Sequence, residues 1–136
     1  PTLRDLGELL ADLDSAGARI ELIDDLPTDA SPPDTISRHA FRIVQESCTN
    51  AGKHAPGQPV RLRLAGAPGE QLYLEITNPL PSTRRGPLVP GSGLGLAGLT
   101  ERAALSGGSL NHGITADERF RVRAWLPWPA EDEGHS

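Results

Sequence analysis

The chain has 136 residues, with 13 Lys or Arg against 18 Asp or Glu, a formal net charge of −5 and a single cysteine, Cys48. That length suits one domain with one core. The acidic balance argues against a nucleic-acid binder, and a lone cysteine excludes an intrachain disulfide and fits a reducing compartment. No apolar run approaches the roughly 18 residues of a bilayer span, and no signal peptide is evident. A start at Pro1 is expected of a fragment of a longer chain.

Residues 2–16 place Leu3, Leu6, Leu9, Leu10 and Leu13 at helical spacing, with Gly17 as the stop. Residues 18–23 alternate, with Ala18, Ile20 and Leu22 on one face of a strand. Ser31-Pro32-Pro33-Asp34 reads as a helix start, with Ser31 as N-cap, Pro32 at the first helical position and Asp34 closing a capping box. This helix is expected to run to His54 or Ala55, where Pro56-Gly57 ends it. Alternating segments 59–65 and 71–77, joined by Ala67-Pro68-Gly69-Glu70, predict a hairpin. Residues 78–92 carry four prolines and read as a long functional loop. A third helix is expected over 94–106, ended by Gly107-Gly108, then strands 109–115 and 119–126. Residues 129–136 are read as a disordered acidic tail, leaving one domain over 1–128. Because each strand has one apolar face, the expected class is α/β. It is a two-layer sandwich with a mixed, mostly antiparallel five-stranded sheet and three helices on one face.

On the central helix, Ile36, Ala40, Ile43, Val44, Ser47 and Ala51 form a face able to lie on a sheet. Glu46, Asn50 and Lys53 fall within about 60° of one another beside it, with His54 at the edge. Asn disfavours helix interiors because its amide competes for backbone hydrogen bonds. Lys53 is the one lysine against twelve arginines. The trio is chemically coherent. A carboxamide oxygen is a hard ligand for Mg²⁺, a lysine neutralises phosphate, and a carboxylate one turn away orients water or accepts a proton.

Gly91-Ser92-Gly93-Leu94-Gly95-Leu96-Ala97-Gly98-Leu99 opens the third helix. Glycines before a helix expose N–H groups, and the helix N-terminus adds partial positive charge; together these bind phosphate. Gly93 to Gly98 also spells G-x-G-x-x-G, with Asp117 and Glu118 further on. Context excludes a dinucleotide fingerprint, which directly follows a buried strand, whereas a proline-rich loop precedes it here.

Phe41-Arg42-Ile43-Val44-Gln45-Glu46-Ser47-Cys48-Thr49-Asn50-Ala51-Gly52-Lys53-His54-Ala55 resembles the N box of the GHKL ATPases. It is most similar to two-component sensor histidine kinases that drive LuxR/NarL-type response regulators. The glycine segment, followed by Thr100-Glu101-Arg102-Ala103 and Gly107-Gly108, resembles the second glycine box of the same kinases. The resemblance covers residues 1–128 and implies the Bergerat fold with ATP and Mg²⁺ as cofactors. By that resemblance Asn50 coordinates Mg²⁺, Glu46 is the catalytic acidic member, Lys53 contacts phosphate and His54 lies along the nucleotide. Ser92, Gly93, Leu94, Gly95 and Leu96 bind the phosphates. Loop 79–92 corresponds to the ATP lid, where Arg84 and Arg85 either reach phosphate or the partner domain or are simply solvated. Gly52 departs from a good helix former at a cost of roughly 1 kcal/mol.

The first glycine box, D-x-G-x-G, is altered: Asn78-Pro79-Leu80-Pro81 stands in its place. The Asn78 oxygen accepts a hydrogen bond from an adenine amine, though more weakly than a carboxylate, or Asn78 starts an Asx turn before Pro79. Cys48 is expected to be a buried structural thiol, and His39 to have a surface or core role. The implied activity is that of a histidine protein kinase, with the γ-phosphate passed to a histidine on a separate upstream helical dimerisation domain. Its implied partners are that domain, a response regulator and, for the full-length protein, a second copy. No nucleic-acid or membrane contact by this domain is expected, and its location is cytoplasmic, with the whole protein free to be membrane-anchored. The alternatives are a degenerate nucleotide-binding regulatory module and an anti-sigma-factor-type serine kinase of the same fold.

Overall fold

The computed structural model describes residues 1–80 and 94–130. A 3₁₀ turn over Leu3–Asp5, capped by the Thr2 hydroxyl, leads into α1 (Leu6–Ser15). The helix ends as its leucine spacing predicts. Gly17 takes φ +100°, and the Ala18 N–H reaches back to the Leu13 carbonyl at 2.9 Å, closing a Schellman stop. Strand β1 (Arg19–Asp25) precedes α2 (Asp34–His54), followed by β2 (Pro59–Ala65), β3 (Gln71–Pro79), α3 (Leu94–Leu105), β4 (Ser109–Ile114) and β5 (Arg119–Pro127).

The start of α2 corrects the sequence reading. Its N-cap is Pro33, no side chain caps it, and Ser31 and Pro32 lie outside the helix. The proline at 33 disfavours helical backbone at Pro32, so the helix begins only at Asp34. Strand β3 is also longer than expected and takes in Asn78 and Pro79. Asn78 and Pro79 therefore do not belong to the expected long loop, and residues 81–93 and 131–136, with the rest of that loop reading and the tail reading, lie outside the described residues.

The five strands form one mixed sheet in the order β1-β2-β3-β5-β4. β1 and β2 are parallel, joined through α2, and all other pairs are antiparallel. Alternation assigns the faces. Val60, Leu62, Leu64, Leu72, Leu74, Ile76, Ala124 and Leu126 are buried under the helices. α2 lays Ile36, Ala40, Ile43, Val44, Cys48 and Ala51 on them, and α3 adds Leu99 and Ala103. Trp128, just beyond β5, joins the same core. Burying a leucine side chain there contributes about 1.5–3 kcal/mol, so a row of such residues holds α2 flat on the sheet. No described helix is long and apolar enough to cross a membrane.

Candidate functional site

Topology brings the polar residues of α2 to one end of the sheet. α2 runs back along the sheet and joins β2 through residues 55–58, so its C-terminal half lies over the start of β2. β2 is antiparallel to β3 with Arg61 opposite Thr77, which puts the start of β2 beside the end of β3. Asn78 therefore sits at the same end of the sheet as Asn50, Lys53 and His54. α3 leads through Gly107 and Gly108 to Ser109, which pairs with Trp125 at the opposite end. Its N-terminus consequently returns to the end occupied by Asn78, and α2 and α3 pack side by side in opposite directions.

The stripe on α2 faces the flank where α3 packs. His39, seven residues before Glu46, lies within about 20° of it around the helix. The His39 imidazole is half-buried and pushed below its ordinary pKa, first by burial, then by the Arg102 guanidinium of α3 and by Arg38. Its Nδ1 is buried with no hydrogen-bond partner among the described residues. Glu46 and Asn50 are half-buried along the same row, His54 is half-buried at its end, and Lys53 is exposed. Glu46 and Asn50 are one turn apart, with Cβ atoms about 5–6 Å from each other. The ion pairs among the described residues, Arg4–Asp34, Arg61–Glu21 and Arg63–Asp25, involve neither Glu46 nor Lys53.

Asn78 continues the inward parity of Leu72, Leu74 and Ile76 and is only 4% exposed. Its Nδ2 donates to the Pro79 carbonyl at 3.1 Å, which turns Oδ1 away as the acceptor. An Asx turn would need the Leu80 N–H, but that group donates to the Glu118 carbonyl at 3.2 Å. The Asx-turn alternative is therefore overturned: the backbone here is held by β-type pairing between β3 and the β4–β5 turn. Pro79 is tolerated because it closes the strand.

Of the glycine segment, Ser92 and Gly93 lie outside the described residues, and Leu94 and Gly95 form the first turn of α3. Leu96 packs against the core, so its side chain serves α3 docking. Cys48 is buried and its thiol is pushed up to about 12 by desolvation, as a structural thiol requires. His39, expected from the sequence to have a surface or core role, lies half-buried in the same row. Its spacing of seven from Glu46 was visible, but its place against α3 was not. A shallow depression of about 340 Å³ lies at the far end of the sheet, lined by Leu3, Arg4, Asp24, Pro32, Asp34 and Ser37 among others. Arg4 there is paired with Asp34 at 3.3 Å and Ser37 Oγ accepts the Leu3 N–H at 2.8 Å, so these groups pin the N-terminal turn.

The donors can be tested against Mg²⁺. Among the described residues no group of three His, Cys, Asp or Glu could hold a metal by itself. One carboxamide and one carboxylate on a helix flank fit the ion that keeps several waters and takes its remaining ligands from substrate phosphates. They do not fit a structural Zn²⁺ or Ca²⁺ cage.

No protein-family model matches the chain, and no curated protein does. Solved structures do. The chain is similar to the mycobacterial sensor histidine kinase MprB, at 21% identity and TM-score 0.63 over 95% of this chain and 97% of that one. It is similar to the Erythrobacter litoralis EL346 blue-light activated histidine kinase at 23% identity and TM-score 0.62, covering 90% of this chain and 44% of that one. The catalytic domain of histidine kinase ThkA, in a nucleotide-free form, aligns at 13% identity and TM-score 0.64 over 96% and 97% of the two chains. The chain thus spans less than half of the EL346 kinase but nearly all of the ThkA catalytic domain. Its architecture of five mixed strands under three helices is the fold of histidine kinase catalytic domains.

Proposed function

We propose that this domain binds Mg²⁺·ATP at the end of the sheet where α2, β3 and the start of α3 converge, and donates the γ-phosphate to a histidine on a separate helical domain. The observation that carries this reading is the convergence itself. Three segments far apart in the chain, each with a separate resemblance or alteration, meet at one end. Asn50 and Glu46 would hold the metal and its waters, and the ion would supply charge neutralisation between phosphate groups. Lys53 adds a point charge for phosphate, and the N–H groups of the first turn of α3 supply oriented donors. Asn78 offers its Oδ1 to the adenine amine, with the amide held in that orientation by the Pro79 carbonyl. His39, its imidazole biased toward the neutral form by burial and by Arg102 and Arg38, lies in the same row. Catalysis here is positioning and charge stabilisation, with Glu46 placed to orient water or accept a proton. A response regulator and a homodimeric, cytoplasmic context follow from the resemblance of the N box.

A second reading is a nucleotide-binding regulatory module without catalysis. It is favoured by β3, which continues through Asn78 and Pro79 where the resembled kinases carry an acid and glycines. Calorimetry with a non-hydrolysable ATP analogue and Mg²⁺ tests both. Binding that requires the metal, together with phosphotransfer from ATP itself to an added histidine-bearing helical domain in a separate assay, supports the kinase. Binding without transfer selects the regulatory module. Absence of heat up to millimolar nucleotide would end both.

A further inference from the structure

The sheet has a second face, which no described helix covers. Its register builds cross-strand rows. One runs Ile23, Arg63, Glu75, Arg123, Asn111, and the next runs Glu21, Arg61, Thr77, Arg121, Gly113. Arg19 and Arg119 extend the same face. Six arginines thus meet three carboxylates, Glu21, Asp25 and Glu75, on a chain whose net charge is −5. Arg61 and Arg63 are already paired with Glu21 and Asp25 at 3.3 and 3.2 Å. The excess charge therefore collects on β5, where Asp117 of the β4–β5 turn is the carboxylate placed near Arg119 and Arg121. The Arg119 guanidinium donates to the Thr77 hydroxyl at 3.4 Å, its one side-chain hydrogen bond among the described residues. Arg121 stands between Thr77 and Gly113. Arg123 donates to the Asn111 amide oxygen at 3.3 Å and stacks 5.3 Å from the Trp125 ring, which in turn meets Tyr73 at 5.6 Å.

We propose that this face is a docking surface for an acid-rich extended segment of a partner protein, anchored on Arg121, Arg123 and Trp125. Three observations favour that occupant. Arg, Trp and Tyr are the residues that concentrate binding energy at protein interfaces. Arg119, Arg121 and Arg123 repeat every second residue along one strand, about 6.6 Å apart. That is the repeat of same-side carboxylates on an extended peptide, so the charges match in spacing as well as sign. A nucleic acid matches less well. Its unbroken phosphate charge would meet the interleaved Glu21, Asp25 and Glu75 and an acidic chain overall. The surface lies on the opposite side of the sheet from the nucleotide site, so its occupancy is separable from nucleotide binding.

The test is fluorescence anisotropy of a fluorescein-labelled peptide of alternating Glu and Ser, titrated with the 136-residue chain at low salt. A labelled oligo(dT) is titrated in parallel. The expected result is saturable peptide binding that weakens at least tenfold in Arg121→Glu/Arg123→Glu. It should stay near wild type in Arg38→Glu/Arg42→Glu, which changes charge equally on exposed residues of α2. Trp125→Ala should also weaken the peptide, an effect that net charge alone would not give. Circular dichroism and nucleotide calorimetry on each variant separate loss of docking from loss of fold or of the nucleotide site. No peptide binding at low salt, equal loss in both charge variants, or tighter binding of oligo(dT) than of the peptide would overturn the proposal.

Discussion

Replacing Asn50 by Ala should move stability and function in opposite directions. The residue is half-buried within α2, and no hydrogen bond among the described residues engages its carboxamide. Alanine is the better helix former by about 0.5 kcal/mol, so the nucleotide-free variant should melt about 2 °C higher in a domain of this size. Nucleotide changes the comparison. At a concentration 100 times the wild-type Kd, Mg²⁺·nucleotide stabilises the native state by about 2.7 kcal/mol. A hundredfold loss of affinity at the same concentration leaves about 0.4 kcal/mol. Thermal melts with and without a non-hydrolysable ATP analogue and Mg²⁺ should therefore show a shift of roughly 10 °C in wild type and under about 2 °C in Asn50→Ala. An equal Mg²⁺-dependent shift in both proteins would refute the metal role of Asn50. A variant that melts well below wild type without nucleotide would show that Asn50 is structural.

Asn78→Asp removes the donor to the Pro79 carbonyl and sets a carboxylate against it in a site only 4% exposed. It should cost about 1–3 kcal/mol in urea denaturation, and a wild-type midpoint would contradict the hydrogen bond. Two glycines should respond with opposite signs. At Gly52 an added Cβ meets nothing within 4 Å, so Gly52→Ala should stabilise by about 1 kcal/mol. At Gly108 an added Cβ would collide with the Trp125 carbonyl oxygen, and Gly108→Ala should destabilise by about 3 kcal/mol or more. Denaturant midpoints of the two variants on the same side of wild type would count against this packing. Burial pushes the Cys48 thiol up to about 12. Its stabilising contribution is complete below the unfolded-state thiol pKa near 9 and is lost as pH rises towards 12. Between pH 8 and 10.5 the wild type should lose about 2 kcal/mol more than Cys48→Ala. Parallel pH profiles would show that the thiol is not buried.

Much of the fold was legible because short-range chemistry decides it. The leucine spacing and Gly17 placed α1, Pro56-Gly57 ended α2, and alternation in 59–65 marked β2 to the residue. The stripe of Glu46, Asn50 and Lys53 was equally legible, since helical geometry alone puts those residues on one flank. Errors arose where neighbours compete. Ser31 has the chemistry of a cap, but Pro33 restrains the backbone before it, so no cap forms. Asn78 before Pro79 suggests a turn, but pairing with β5 and the Glu118 carbonyl draws both residues into β3.

What the sequence determined by itself is which residues are chemically capable: Asn50 beside Glu46, a lone lysine one turn on, and a glycine-rich start to α3. What only the tertiary structure decided is which of them meet. Asn78 joins the α2 residues because β2 and β3 are antiparallel with Arg61 opposite Thr77. His39 shares the row by its spacing alone, but only the packing of α3 sets the Arg102 guanidinium near it. Leu96 turns into the core because α3 must bury a side. The arginines of β5 become one surface only when the register stacks them into rows with β2 and β3. Helical and strand periodicity act over a few residues and can be read along the chain. Strand order and register join residues far apart in sequence, and they are set by how the whole apolar surface is buried.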